Sequence, residues 1–583
     1  MALTRRAALT SGAFVAAACT ASAAAAEQAL FSHGVASGDP LPTQVIIWTR
    51  VTPRLPGGDV TVTWKVATDS NLTQIVKRGS VKTQASRDHT VKVDVSGLKP
   101  GQVYYFGFAV GNEISTIGRT QTAPQSGGDQ LKIALVSCSN FPAGWFNAYQ
   151  AIARRGDVDL VLHVGDYIYE YGPGEYATEW GKTVGRVPDP PKECTTLSDY
   201  RLRYAQYRSD PDLQAAHACA PWLVTWDDHE TSNDAYKDGA ENHNPAKEGP
   251  WSLRKAAALQ AYYEWLPLRD PAPGKSFEAI NRSFDWGDLA TIAMLETRVI
   301  ARSFQLDYAT DLDPALFDVT SGKPVKITDA ARLATLDPKA LPQGVMALPD
   351  LDAFKANKLN DPSREMLGAN QQAWLAEVLK TSVAKGKRWQ ILGNQVIMGR
   401  VTSPDFKAGL PKEVRDAIAK VRPETLAFFE LSQFNVPFNL DAWDGYPAAR
   451  ERLYDIAKQA GARLVVCTGD THAAWANNLF DAKGELRGVE FGGTSVTSPS
   501  LADSFANFGI TGSDLNTLIN QANEEVVWHD ETQRGYTMVT VTKDAVCGEF
   551  MAVDTVKSKT FLVTTAARYQ TRFGPKPEEL VIV

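Results

Sequence analysis

Two hydrophobic rhythms divide the chain. From about residue 30 to 125, short runs of β-formers alternate or cluster between turn residues: Val45 to Arg50, Val60 to Lys65 and Val91 to Val95. Alternation with a period of two predicts strands with one face buried. Gly97-Leu98-Lys99-Pro100-Gly101 then leads into Tyr104-Tyr105-Phe106. That pattern is much like the E–F corner of a fibronectin-type sandwich, with a corner tyrosine. The expectation is an N-terminal fibronectin-type β-sandwich domain over 30–125, closed by a linker from Thr122 to Gly128.

Beyond Leu131 the rhythm changes. Continuous apolar runs alternate with helical segments such as Arg254 to Trp265, Asn370 to Thr381 and Pro447 to Ala460. Runs without a polar face predict strands buried on both sides, the hallmark of α/β architecture. An α/β domain over 130–560 is expected, followed by a C-terminal tail over 561–583. The Pro-, Gly- and aromatic-rich stretch from about 171 to 220 reads as a loop excursion, as does the region from about 303 to 365.

At 583 residues the chain exceeds what one core organises, which fits two domains. The formal charge is −7, and because Arg5 and Arg6 are the only charges in the first 26 residues, the remainder carries −9. Such an acidic body disfavours stable nucleic-acid binding. It leaves phosphate esters open as substrates, because bound cations invert the local field. Residues 1–26 have a charged start, an Ala-rich apolar stretch and a small-residue end at Ala24, Ala25 and Ala26, the layout of an export signal. The adjacent arginines suggest the twin-arginine machinery, with the general secretory route as the rival. Cys19, after three alanines, faintly resembles a lipoprotein cleavage site. No other stretch reaches the roughly 20 apolar residues that span a bilayer. A periplasmic or secreted protein is therefore expected. Of the cysteines beyond the signal, Cys194 and Cys219 are the pair closest in sequence for a disulfide.

The chemistry lies where five apolar runs stop. Ile133 to Val136 precedes Cys138 and Asn140; Leu160 to Val164 precedes Asp166; Trp222 to Trp226 precedes Asp227, Asp228 and His229; Trp389 to Leu392 precedes Asn394; Leu464 to Thr468 precedes Asp470 and His472. Ligands of α/β sheets gather just outside the carboxyl ends of strands, so these side chains are able to meet. Singly, each has a plain reading: Cys138 as a core residue, Asp166 or Asp470 as a helix cap, Asp227 to Glu230 as a solvated loop. Together they point to metal. Asn439, Asp441 and Asp444 form a further oxygen-rich run before a Gly-Tyr-Pro turn, either a second cation site or helix caps. Arg298, after the strand-like Leu289 to Leu295, is a candidate phosphate contact or a surface salt bridge.

These motifs resemble the alkaline phosphatase D family of the calcineurin-like metallophosphoesterases over nearly the whole chain. The matching elements are His33 to Pro40, Ser137-Cys138-Ser139-Asn140, Gly165-Asp166-Tyr167-Ile168-Tyr169-Glu170, Trp226-Asp227-Asp228-His229-Glu230, Gly393-Asn394-Gln395, Trp443 to Pro447 and Gly469 to Trp475. The resemblance implies a metallophosphoesterase-type two-sheet sandwich flanked by helices. It also implies a ferric ion held by Cys138, Asp166, Tyr169 and His472, with Asp166 bridging to calcium at Asp228, Asn394 and Asp470. Anionic thiolate and phenolate donors suit a trivalent ion and oxygen donors suit calcium, while zinc accepts Cys, His and Asp as well. His229 and Asp228 are the expected catalytic residues, with Asn140, His229 and Arg298 contacting substrate. One departure is Glu296, where the pattern leads us to expect Asp.

The expected reaction is hydrolysis of phosphate monoesters and diesters by metal-activated water. Small phosphate esters are the expected substrates, with phospholipid or nucleic-acid phosphodiesters in reach of the same chemistry. A phospholipase D-like phosphodiesterase is the rival within the enzymes. A non-catalytic surface protein that binds metal or phosphate is the rival outside them.

Overall fold

The computed structural model describes residues 30–583 apart from 54–57 and 323. The export signal and Cys19 lie outside the described residues. Each of the five apolar runs forms a strand: Gln130–Val136, Leu160–His163, Trp222–Val224, Trp389–Gly393 and Leu464–Thr468. The first three lie parallel and adjacent, with Ile133 opposite Leu160 and Val161 opposite Trp222. The last two lie parallel in a second sheet, between Ala290–Met294 and Leu486–Gly492.

The two sheets pack face to face because both sides of these strands are apolar. Ile133, Leu135, Leu160 and Leu162 meet Ile292, Ile391, Val465 and Phe491 in a shared inner core. The opposite faces are covered by helices. Ala134, Val136 and Val161 pack under a layer that includes Tyr149, Tyr200, Leu213 and Leu259. Leu392 and Val466 pack under helices Gly368–Ala384 and Pro447–Ala460. The result is a two-sheet sandwich flanked by helices, as expected.

The N-terminal strands make a sandwich whose two halves close on Val45, Ile47, Val62, Val66, Phe106 and Phe108. The corner tyrosine is present, Tyr104 Oη accepting from Lys99 N at 2.9 Å. One half is continuous with the catalytic sheet, since Val35–Leu41 pairs in parallel with Trp222–Val224 through Gly38 and Trp222. A side chain at Gly38 has no room there: its Cβ would lie 2.1 Å from Pro267 O.

Three expectations need correction. Residues 561–583 are not a tail beyond the domain. Val563–Arg572 pairs antiparallel with Ala545–Val553 in the ten-stranded sheet. The 171–220 stretch is not merely loop, as it holds helices Glu179–Val184, Leu197–Arg208 and Pro211–Cys219. Its early Pro and Gly residues masked a capping box between Thr196 and Asp199 and a helical spacing of Tyr200, Tyr204 and Tyr207. The sequence left a Cys194–Cys219 disulfide open, and both are free thiols, with Cys219 Sγ 3.2 Å from Ala216 O. The 303–365 excursion carries a small sheet of Pro314–Asp318, Val325–Lys326 and Val345–Pro349.

Candidate active site

Each strand delivers its chemistry through a tight turn at its carboxyl end. Cys138, Asp166, Asp470 and His472 all sit at positive φ, between 56° and 69°. Non-glycine residues avoid this region, and where several cluster the surrounding fold must hold them in place. Neighbouring glycines make the turns possible. A Cβ at Gly165 would lie 2.3 Å from Asp227 Cβ, and one at Gly469 would lie 2.5 Å from Ser137 Oγ. The turns therefore nest directly against one another.

Buried carboxylates pin these loops. Glu230 accepts from the backbone N–H groups of Asp166 (3.1 Å), Tyr167 (2.5 Å) and Asp227 (2.8 Å), tying two loops together. Glu296 accepts from Trp226 Nε1 and from the N–H groups of Arg298, Val299 and Ile300 at 2.7 to 2.9 Å. Its extra methylene, relative to the expected Asp, reaches a whole turn of backbone. Glu296 thus shapes the loop that presents Arg298 and stays out of the cluster itself.

Part of the set named from the sequence comes together, whereas Asn394 and Asp470 lie outside the two groups of potential ligand atoms. The ligand atoms of Cys138, Asp166 and His472 lie within 4.8 Å of one another, as do those of Asp166, Asp228 and His229, so Asp166 is common to both groups. Tyr169 joins the first group: its phenol oxygen is 3.0 Å from Asp166 Oδ2 and 3.0 Å from His472 Nε2. His472 Nδ1 donates to Pro499 O at 2.8 Å, which leaves Nε2 as the lone-pair nitrogen facing the cluster. His229 Nδ1 is 2.8 Å from Glu170 Oε2, and its ring centroid lies 4.2 Å from that of Tyr169.

Arg298 is not a surface salt bridge. It is fully buried, with Nε on Asp227, Nη1 2.8 Å from Asp441 and Nη2 3.5 Å from Asp470 and 3.9 Å from Asp228. Its role here is that of a counter-charge among aspartates. Asp441 belongs to this set, whereas Asp444 turns away to Arg450 Nη1 (2.6 Å) and Val401 N (2.7 Å). The Asn439, Asp441 and Asp444 run therefore does not act as one site. Asn394 is buried at its strand end, its Nδ2 donating to Val396 O at 2.8 Å and its Oδ1 3.4 Å from Trp443 Nε1. Asn140 is buried with both amide atoms unpartnered.

The electrostatics describe a cluster short of positive charge. Burial, then repulsion from Asp166, pushes the Cys138 thiol well up. Burial also raises Asp166, with His229 opposing and Asp228 and Asp227 adding to the rise. Asp470 is raised by burial and by Asp227 and Asp441. Burial holds His472 down at about 3, hence a neutral donor. In His229 burial acts to lower the pKa, but Asp228, Glu170 and Asp166 outweigh it and the net direction is up. Asp166 Oδ1 is buried with no hydrogen-bond partner. A cation beside Asp166 would satisfy that oxygen and would let the acids ionise.

Reasoning from sequence missed Tyr176, Ser498 and Pro499, which come from loops without a metal-like motif. Tyr176 Oη lies 3.2 Å from His472 Nδ1 and 3.2 Å from Pro499 O. Glu170 and Glu230 were visible within motifs, but their work as loop anchors was not.

A two-sheet α/β sandwich whose parallel strands end in one buried cradle of thiol, phenol, imidazole and carboxylate defines a metallophosphoesterase-type protein. Residues 133–550 match the PhoD-like phosphatase family, and residues 16–124 match the PhoD-like phosphatase N-terminal domain. The chain belongs to the PhoD-like phosphatases and is a hydrolase of phosphate esters. It is similar to alkaline phosphatase D of Bacillus subtilis (strain 168), 33% identical over 553 residues that make up 92% of this chain and 80% of that protein. A solved structure of PhoD is 31% identical with a TM-score of 0.72, covering 96% of this chain and 93% of that one.

Proposed function

We propose that this phosphatase is a metal-dependent enzyme acting on monoesters and, at the same centre, diesters, with direct attack by water. The observation that carries this reading is the sharing of Asp166 between the Cys138–His472 group and the Asp228–His229 group, with one carboxylate oxygen left unpartnered. Cys138, Asp166, Tyr169 and His472 fit a ferric ion, and Asp166, Asp228, Asn394 and Asp470 fit calcium. Such cations, when bound, polarise phosphoryl oxygens and acidify water at the site.

The chain's own contribution is orientation and charge. His229 has Nδ1 committed to Glu170, so Nε2 is the nitrogen available to a phosphoryl or leaving-group oxygen. The unpartnered amide of Asn140 supplies a donor to a phosphoryl oxygen. Arg298 offsets the aspartates around it and fixes their carboxylates. Ser498, beside the cluster, is fully buried with its hydroxyl committed to Tyr169 and Cys138 O, which favours direct attack by water over a phosphoserine. Export through the twin-arginine machinery fits Arg5 and Arg6, because that route carries folded protein with its metal already inserted.

Elemental analysis of the purified protein tests the cofactors, with about one iron per chain and added calcium expected. An active, colourless preparation containing zinc alone overturns the iron assignment. Turnover of a nitrophenyl monoester, a bis-nitrophenyl diester and a phosphatidyl lipid ranks the substrate classes. Replacing Arg5 and Arg6 with Lys is expected to leave the protein in the cytoplasm if the export route is right.

A further inference from the structure

The segment Thr494–Ser500, which follows the strand Leu486–Gly492, touches three of the four residues assigned above to the ferric site and the backbone of a neighbour. Pro499 O fixes the His472 ring, Thr497 Oγ1 donates to Asn140 O at 2.7 Å, and Ser498 sits between Tyr169 and Cys138. Ser498 is fully buried, with Oγ 2.7 Å from Tyr169 Oη and 3.0 Å from Cys138 O.

We infer that Ser498 is a positioning residue whose hydroxyl donates to the phenolate oxygen of Tyr169, fixing that ring in the cluster and weakening it as an electron donor to the ion. The inference rests on the iron reading given above. It follows from counting protons. A serine hydroxyl has one hydrogen and here two acceptors, Tyr169 Oη and Cys138 O. Cys138 O is served in addition by the N–H groups of Thr497 and Ser498, both at 3.3 Å. Tyr169 Oη, once it acts as an anionic donor, carries no hydrogen of its own. Its contact with Ser498 then survives only with the serine as donor, and hydrogen bonds to an anion are the shorter and stronger kind. The remaining neighbours of that oxygen, Asp166 Oδ2 and His472 Nε2, are themselves donors to the ion and offer it no proton. Ser498 is thus the side chain placed to tune the phenolate, as outer groups tune metal ligands generally.

The hydrogen bond lowers the energy of the filled phenolate orbital, so it raises the energy of the phenolate-to-iron charge-transfer band. Iron-loaded Ser498→Ala is expected to retain its iron and show this visible band at longer wavelength, while Ser498→Thr keeps the original wavelength. Resonance Raman spectra of the wild-type holoenzyme provide a measurement that needs no variant: the phenolate modes are expected to shift on exchange into D₂O. An unmoved band in Ser498→Ala at full iron content, or phenolate modes indifferent to D₂O, overturns the assignment to Ser498. Iron-loaded wild-type protein lacking any phenolate band instead overturns Tyr169 as a ligand, and this inference with it.

Discussion

Single side chains here do one of two jobs, and substitution separates them. Glu170 touches no expected ligand except through His229, yet it holds the Nδ1 of that ring. Glu170→Gln keeps the shape and removes the charge. It is expected to lower kcat/KM by about 10- to 100-fold with little change in melting temperature, whereas a drop in stability alone would make Glu170 merely structural. Asp166→Ala removes the carboxylate common to both groups and is expected to abolish hydrolysis of monoesters and diesters together; retention of either activity would break the shared-centre reading. His163 illustrates the other job. It is buried beside Tyr149 and Trp222, and burial holds it down at about 3. Below pH 6.5 the unfolded chain takes up a proton that the folded one refuses, so this contribution is complete above pH 6.5 and is lost as pH falls toward 3. Its share between pH 6.5 and 5 is about 2 kcal/mol. Urea melts at pH 7 and pH 5 are expected to show a smaller pH dependence in His163→Gln than in the wild type.

At the scale of elements, the strand-end turns carry the strain that makes the site. Gly165 has φ of +124° and no room for a Cβ beside Asp227. Gly165→Ala is expected to cost at least about 1 to 3 kcal/mol and to reduce metal content, because it parts the loops bearing Asp166 and Asp228. A variant with wild-type stability and metal content would show that these turns yield easily. The central strands were legible because both of their faces are apolar, a pattern that survives in one dimension. Helix Leu197–Arg208 was not, because its capping box and tyrosine spacing follow a run of Pro and Gly that reads as loop. The loop Thr494–Ser500 was equally hidden: Ser, Thr and Pro carry no metal signal until Tyr169 and His472 are brought beside them.

At the scale of the whole molecule, sheet continuity matters more than the division of the sequence. The N-terminal sandwich shares hydrogen bonds with the catalytic sheet through Gly38, and Val563–Arg572 with Val581–Ile582 forms the opposite edge. Tyr569 and Leu580 lie in the core between the two sheets. A chain ending at residue 560 is therefore expected to be insoluble or to melt well below the full chain, as circular dichroism would report. An unchanged melting temperature would return that segment to the status of a tail. Among the described residues no helix is long and apolar enough to cross a membrane.

The sequence by itself determined the central strands, the order of the chemical residues and the place where each strand must end, because burial and turn formation are written in local residue pattern. Tertiary structure alone decided which of those residues meet. It set Arg298 as a counter-charge among four aspartates, sent Asp444 away to Arg450, and placed Ser498 and Pro499 against Tyr169 and His472. Such pairings depend on distances of a few ångströms between segments remote in the chain, and no local pattern encodes them.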